Sequence, residues 1–185
     1  MKKNNLLTTS LLLGIITAIL AVAVFMVNST TTTIIAESEA TKLNSYYESI
    51  FPDCEYEVIY DNQKDDDKSN NILSVATATK DGNIVGYLYL ASTTGYSSDV
   101  VSLIGINAAD AKLLNVIVTK QSETPGLGSL STEPKFLDQF SDKSTDEVLK
   151  AKDNITAITG ATITSTAVVN SVNEAFADFN TNYMK

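Results

Sequence analysis

Two short segments of this 185-residue chain carry residue types that could act on a ligand. The first is Ser122-Glu123-Thr124-Pro125-Gly126-Leu127-Gly128-Ser129. Gly126 and Gly128 flank the apolar Leu127, and glycine lets backbone approach a ligand closely and adopt positive φ. Pro125 fixes the entry to a turn. Leu127 can then lie against a flat ring while backbone N–H groups reach its heteroatoms; an ordinary Pro-Gly turn fits the same spacing. The second is Thr159-Gly160-Ala161-Thr162-Ile163-Thr164-Ser165, running into a final helix. Small residues and hydroxyls ahead of a helix N-terminus make a seat for phosphate, because orphan N–H groups and the positive end of the dipole both favour an anion. Simple N-capping by Ser165 or Thr166 fits too. The Gly-Lys-Ser/Thr end of a P-loop is missing.

The remaining composition narrows the chemistry. All 13 basic residues are Lys; there is no Arg, His or Trp, and Cys54 is the lone cysteine. Without His there is no Ser-His-Asp or Cys-His catalysis and no imidazole metal ligand. One Cys holds no iron–sulfur cluster, Cys-based zinc site or internal disulfide. Without Arg there is no bidentate fork for phosphate. Twenty-two acids and a net charge of −9 argue against a nucleic-acid partner. Redox or group-transfer chemistry must lean on an organic cofactor, a backbone-built site or carboxylates.

The elements that would position these segments follow an apolar run. Between Lys3 and Glu37 there is no charge, and Leu6 to Val27 is long enough as a helix to cross a hydrocarbon core of about 30 Å. The run exceeds a signal-peptide h-region, and Asn28-Ser29 with Thr30 to Thr33 makes a poor cleavage site. A retained bilayer span over 6–27 is expected. Lys2 and Lys3 put the N-terminus in the cytoplasm and residues 28–185 outside it. The domain reading is 1–27 cytoplasmic N-terminus and span, 28–51 juxtamembrane and helical linker, and 52–185 extracytoplasmic domain.

In the outer part, Thr30 to Ile35 is β-branched and a weak helix former. Ala36 to Phe51 has helical spacing and ends at Pro52. Strands are predicted over 56–60, 72–79, 84–92, 100–106 and 113–120, with Lys80-Asp81-Gly82-Asn83 as a hairpin turn. A polar loop spans Asp61 to Asn71, and its Asp65-Asp66-Asp67 reads as solvated. Glu133 to Phe140 and Ser144 to Lys152 read as short helices. Thr166 to Phe179 reads as an amphipathic helix with Val168, Val172, Ala175, Phe176 and Phe179 on one face. The class is α+β, a mostly antiparallel sheet with packed helices.

Together, in this order and behind the apolar run, the two segments resemble a family of membrane-anchored flavoproteins. It includes the G subunit of the Rnf complex and the C subunit of the sodium-pumping NADH:quinone oxidoreductase. Glu123-Thr-Pro-Gly-Leu-Gly128, continuing to Thr132-Glu-Pro-Lys-Phe-Leu137, is similar to the Rnf protein. Thr159-Gly-Ala-Thr162 with Ile163-Thr164-Ser165 is similar to the family's flavin-attachment motif, and Gly95-Tyr96 followed by Gly105-Ile106 resembles its sheet segment. The resemblance implies a covalent FMN, its phosphate esterified to Thr162 by a separate flavin transferase. It implies Glu123, Thr124, Gly126, Leu127, Gly128, Thr159, Gly160, Ala161 and Ile163 around the flavin. It also implies partnership with Rnf subunits A, B, C, D and E in a ferredoxin:NAD⁺ oxidoreductase coupled to Na⁺ or H⁺ transport. The chain departs from the family pattern at Thr156, where the motif usually carries Asp. Two alternatives stay open: a stand-alone membrane-anchored flavoprotein carrier, and a non-redox module in which both motifs are turns.

Overall fold

The computed structural model describes residues 2–62 and 71–184, with side chains given for 8–28, 38–62 and 71–184. Two units are distinguished, residues 1–44 and 45–185. The first is helical. Helix α1 runs from Lys2 to Ile50, and its stretch Thr8–Asn28 is long and apolar enough to cross a membrane. Thr30 to Ile35, read as a weak helix former, is helical as well. The propensity deficit of β-branched residues is below about 0.7 kcal/mol each, too small to stop a helix supported on both sides.

The second unit is built on five strands: β1 (Glu55–Asp61), β2 (Ile72–Lys80), β3 (Asn83–Thr94), β4 (Asp99–Asn107) and β5 (Leu113–Lys120). They form one antiparallel meander in sequential order. Lys80 pairs with Asn83, and Asp81 and Gly82 between them both have positive φ. That is the primed turn whose twist suits a tight hairpin. Most of the loop read over 61–71, including Asp65 to Asp67, lies outside the described residues; Asp61 itself pairs with Ser74 at the end of β1.

One face of the sheet packs on helix α3 (Thr162–Asn182). Val168, Val172, Ala175, Phe176 and Phe179 are buried as the periodicity predicts, against Tyr89, Ile104, Ile106 and Val116. The Thr93 hydroxyl donates to the Ala167 carbonyl at 2.7 Å and lies 2.8 Å from Ser171 Oγ, fixing the height of α3 on β3. The expected helix over Glu133–Phe140 appears as α2 (Pro134–Leu137) followed by a 3₁₀ turn, Asp138–Phe140.

The expected helix over Ser144 to Lys152 does not form. This stretch is a strap of turns and isolated bridges, Lys112 to Ser144 and Ala151 to Ile155. Its backbone polar groups are met by turn and bridge bonds, such as the Thr145 N–H on the Ala111 carbonyl at 3.0 Å, and by side chains. Asn173 Oδ1 accepts the Leu149 N–H and Asn173 Nδ2 donates to the Leu149 carbonyl, both at 2.9 Å. Asn154 Oδ1 accepts the Lys150 N–H at 2.7 Å. Asn173 on α3 is therefore the fastening of the strap, and Leu149 is driven into the core.

Tyr47, Ile50 and Phe51 are buried on the domain. The chain turn after α1 is tied by Glu48, whose carboxylate accepts the Asp53 N–H at 3.0 Å and the Tyr56 hydroxyl at 2.8 Å. Phe51 lies where a side chain on Gly86 would project, and a Cβ there would also come within 2.7 Å of the Ile106 carbonyl oxygen. Gly86→Ala is therefore expected to destabilise this unit by about 1–3 kcal/mol through overpacking. A lower urea midpoint with an unchanged slope is the check.

Candidate functional site

The turn after β5 is set by local chemistry. Thr124, Pro125, Gly126 and Leu127 form a β-turn closed by the Leu127 N–H on the Thr124 carbonyl at 3.1 Å, with Gly126 at φ 75°. Pro at the second position and a positive φ at the third are type II requirements. Ser129 Oγ accepts the Gly126 N–H at 2.9 Å and stiffens the loop. A second turn, Ile158 to Ala161, closes at 3.0 Å with Gly160 at φ 78° and delivers the chain into α3. The two turns touch: a Cβ on Gly160 would stand 3.0 Å from Leu127 Cδ2.

Between them lies a cleft of about 470 Å³, within the range of small-molecule sites. It is lined by Glu123, Thr124, Leu127 and Gly128 from the first segment and by Gly160, Ala161, Thr162 and Ile163 from the second. Two candidate residues, Gly126 and Thr159, are not in the lining; Gly126 shapes the turn and Thr159 is exposed. Tyr96 and Thr164 complete the wall, and sequence reasoning did not pick them as site residues. Tyr96 was visible as half of Gly95-Tyr96 at a predicted strand junction, with nothing local to connect it to residue 123.

Glu123 makes that connection. It is 6% exposed. Its Oε1 accepts the backbone N–H groups of Tyr96, Ser97 and Ser98 at 3.1, 2.9 and 3.3 Å, and its Oε2 accepts the Thr164 hydroxyl at 2.6 Å. Burial alone would push this carboxyl up. The Thr164 hydroxyl and the three N–H groups outweigh burial and hold it below the usual carboxylate range. The carboxylate is thus spent on joining the β3–β4 turn to the first turn of α3. Gly128 has no room for a side chain beside it, since a Cβ would lie 2.6 Å from Glu123 Cβ and 2.8 Å from Thr164 Oγ1.

Helix α3 begins at Thr162, a turn earlier than the sequence suggested, with Ala161 as N-cap and no side-chain cap. The expected capping by Ser165 or Thr166 does not occur, because both already lie inside the helix. Ser165 Oγ donates to the Ala161 carbonyl at 2.9 Å and accepts the Ile158 N–H at 3.0 Å; Thr166 donates to the Thr162 carbonyl at 2.8 Å. The first α-helical bond is the Ser165 N–H on Ala161, so helix geometry leaves the N–H groups of Thr162, Ile163 and Thr164 without an intrahelical acceptor. With the dipole behind them they favour an anion at the cleft. The hydroxyls of Thr164, Ser165 and Thr166 are engaged, whereas among the described residues none hydrogen-bonds the Thr162 hydroxyl, and Thr162 faces the cleft.

Residues 95–177, which contain the whole cleft lining, match the FMN-binding domain family. The chain is 34% identical over 123 residues to the G subunit of an ion-translocating oxidoreductase complex of Methanosarcina acetivorans, covering 65% of each protein. It is 32% identical over 170 residues to the protein of the same name from Photorhabdus laumondii, covering 80% of this chain and 77% of that protein. The chain belongs to the family of G subunits of ion-translocating oxidoreductase complexes. It spans 55–65% of the length of several curated relatives it matches, those of Methanosarcina, Clostridium ljungdahlii and Acetobacterium woodii. Among solved structures, the crystal structure of Shewanella oneidensis NqrC aligns with a TM-score of 0.47 at 22% identity, covering 56% of this chain and 54% of that one.

Proposed function

We propose that this chain is the FMN-carrying electron-transfer subunit of an Rnf-type ferredoxin:NAD⁺ oxidoreductase, with the FMN phosphate esterified to Thr162. What supports this most is the convergence of two segments distant in sequence on one cleft, in which Thr162, at a helix N-terminus, presents a hydroxyl that bonds none of the described residues. The residues present fit the group. The N–H groups of Thr162, Ile163 and Thr164 would meet phosphate oxygens in a chain that has no Arg to do so. Leu127 and Ile163, 41% and 53% exposed, offer apolar surface for the ring. When bound, FMN supplies transfer of one or two electrons; the protein supplies placement and tuning.

An ester tether also keeps the flavin on a domain that faces away from the cytoplasm. In this reading residues 6–27 cross the bilayer with the N-terminus inside, and residues 52–185 form the extracytoplasmic flavin domain. A flavin transferase makes the ester during maturation, and subunits A, B, C, D and E are the partners. Coupling to Na⁺ or H⁺ then resides in those partners, because an apolar helix without charged groups from 6 to 27 offers no ion path.

The experiment is gentle detergent extraction from the native membrane followed by affinity purification through this chain. Recovery of the other five subunits with flavin-dependent electron transfer is expected. A flavin-loaded chain that elutes alone contradicts membership of the complex.

A further inference from the structure

We propose that Tyr96 is a cofactor-contacting residue, the aromatic wall of the cleft, and that Glu123 is the positioning residue that holds it there. The proposal rests on the FMN reading above. Tyr96 is 69% exposed, so its ring has little packing role in the fold itself. Of the eight tyrosines, it alone lines the cleft. With Leu127 and Ile163 it makes three exposed apolar side chains around a single opening, an arrangement that marks a binding surface.

The turn carrying Tyr96 is fastened far beyond what joining β3 to β4 requires. Gly95 donates to the Ser98 carbonyl at 2.9 Å, and three successive N–H groups converge on one oxygen of Glu123. Ser98 Oγ accepts the Ser122 N–H at 3.1 Å, a second tie to the loop after β5. A Cβ on Gly95 would come within 2.7 Å of Glu123 Oε1, so the carboxylate fits only against bare backbone. Hairpin loops of this length normally hold by local bonds. Fixing the backbone beneath an exposed ring reduces the entropy lost when that ring meets a planar partner. Aromatic rings favour such offset stacking.

The chain has no Trp, so a tyrosine in contact is the strongest quencher of flavin fluorescence it can supply. The phenol lends an electron to the excited ring and takes it back. The full-length chain, co-expressed with a flavin transferase and purified in detergent, is compared with Tyr96→Leu, Tyr96→Phe and Glu123→Gln, each checked for FMN per chain. Native wild type is expected to be several-fold dimmer than the same sample denatured. Tyr96→Leu and Tyr96→Phe are expected to be bright when native and equal to wild type when denatured. Glu123→Gln is expected to split the native decay into quenched and unquenched populations. Unchanged native fluorescence in Tyr96→Leu at equal FMN content overturns the contact. A single, wild-type lifetime in Glu123→Gln overturns the positioning role. A wild-type chain without FMN overturns the flavin reading and this inference together.

Discussion

Glu123→Ala is expected to lower the stability of the unit spanning residues 45–185 by about 2–4 kcal/mol. The carboxylate is nearly buried and takes four hydrogen bonds. Truncation leaves three N–H groups and the Thr164 hydroxyl without their acceptor, and an unmade bond in a covered site costs more than the same bond gains when formed. Water entering the cleft offsets part of the loss, which keeps the figure below that of a fully enclosed ion. Urea titration of the full chain in detergent measures it. The pH dependence carries the sign of the same contact. Because the folded carboxyl is held below the unfolded value of about 4.3, its contribution is complete above that pH and is lost as pH falls through the lower folded value. Glu123→Gln is expected to flatten that acid limb. A wild-type stability curve whose acid limb is the same in the variant contradicts the assignment.

Thr162→Ala is expected to remove covalent flavin entirely while leaving the fold intact. Thr162 is half-buried at the first position of α3, where its hydroxyl bonds none of the described residues, and alanine is a good helix former there. Thr181→Ala is the control: Thr181 is exposed near the far end of α3 and outside the cleft lining, so its loss is expected to leave flavin content unchanged. In-gel fluorescence of denatured protein reads both variants. Thr156 stands apart from the cleft lining, its N–H held by Gln139 Oε1 at 2.8 Å and its carbonyl by Gln139 Nε2 at 3.3 Å. Its effect on the transferase is a separate question from the integrity of the site.

The sheet was legible because its signals are local. Alternating apolar residues set the strands, and Asp81-Gly82 set the tight hairpin, with no help needed from distant groups. The inner face of α3 was legible for the same reason. The strap over 144–152 was not, because its backbone is fastened at Leu149 by Asn173 on α3, a partner that composition cannot reveal. The start of α3 was misread because Ser165 and Thr166 look like caps, whereas their hydroxyls turn back to carbonyls four residues earlier. Of the site, both loops were visible as motifs, but their junction was not. Glu123 reads in sequence as a residue around the flavin, not as a tie between loops; its partners lie 25 to 27 and 41 residues away and meet only in the folded chain.

The central claim is one phosphoester-linked FMN on Thr162. Intact mass, followed by peptide mapping of the C-terminal segment after co-expression with a flavin transferase, addresses it directly. The expected result is a mass increase of one FMN less one water, localised to the peptide containing Thr162 and absent from Thr162→Ala. An unmodified Thr162 peptide, or FMN carried on another residue, contradicts it.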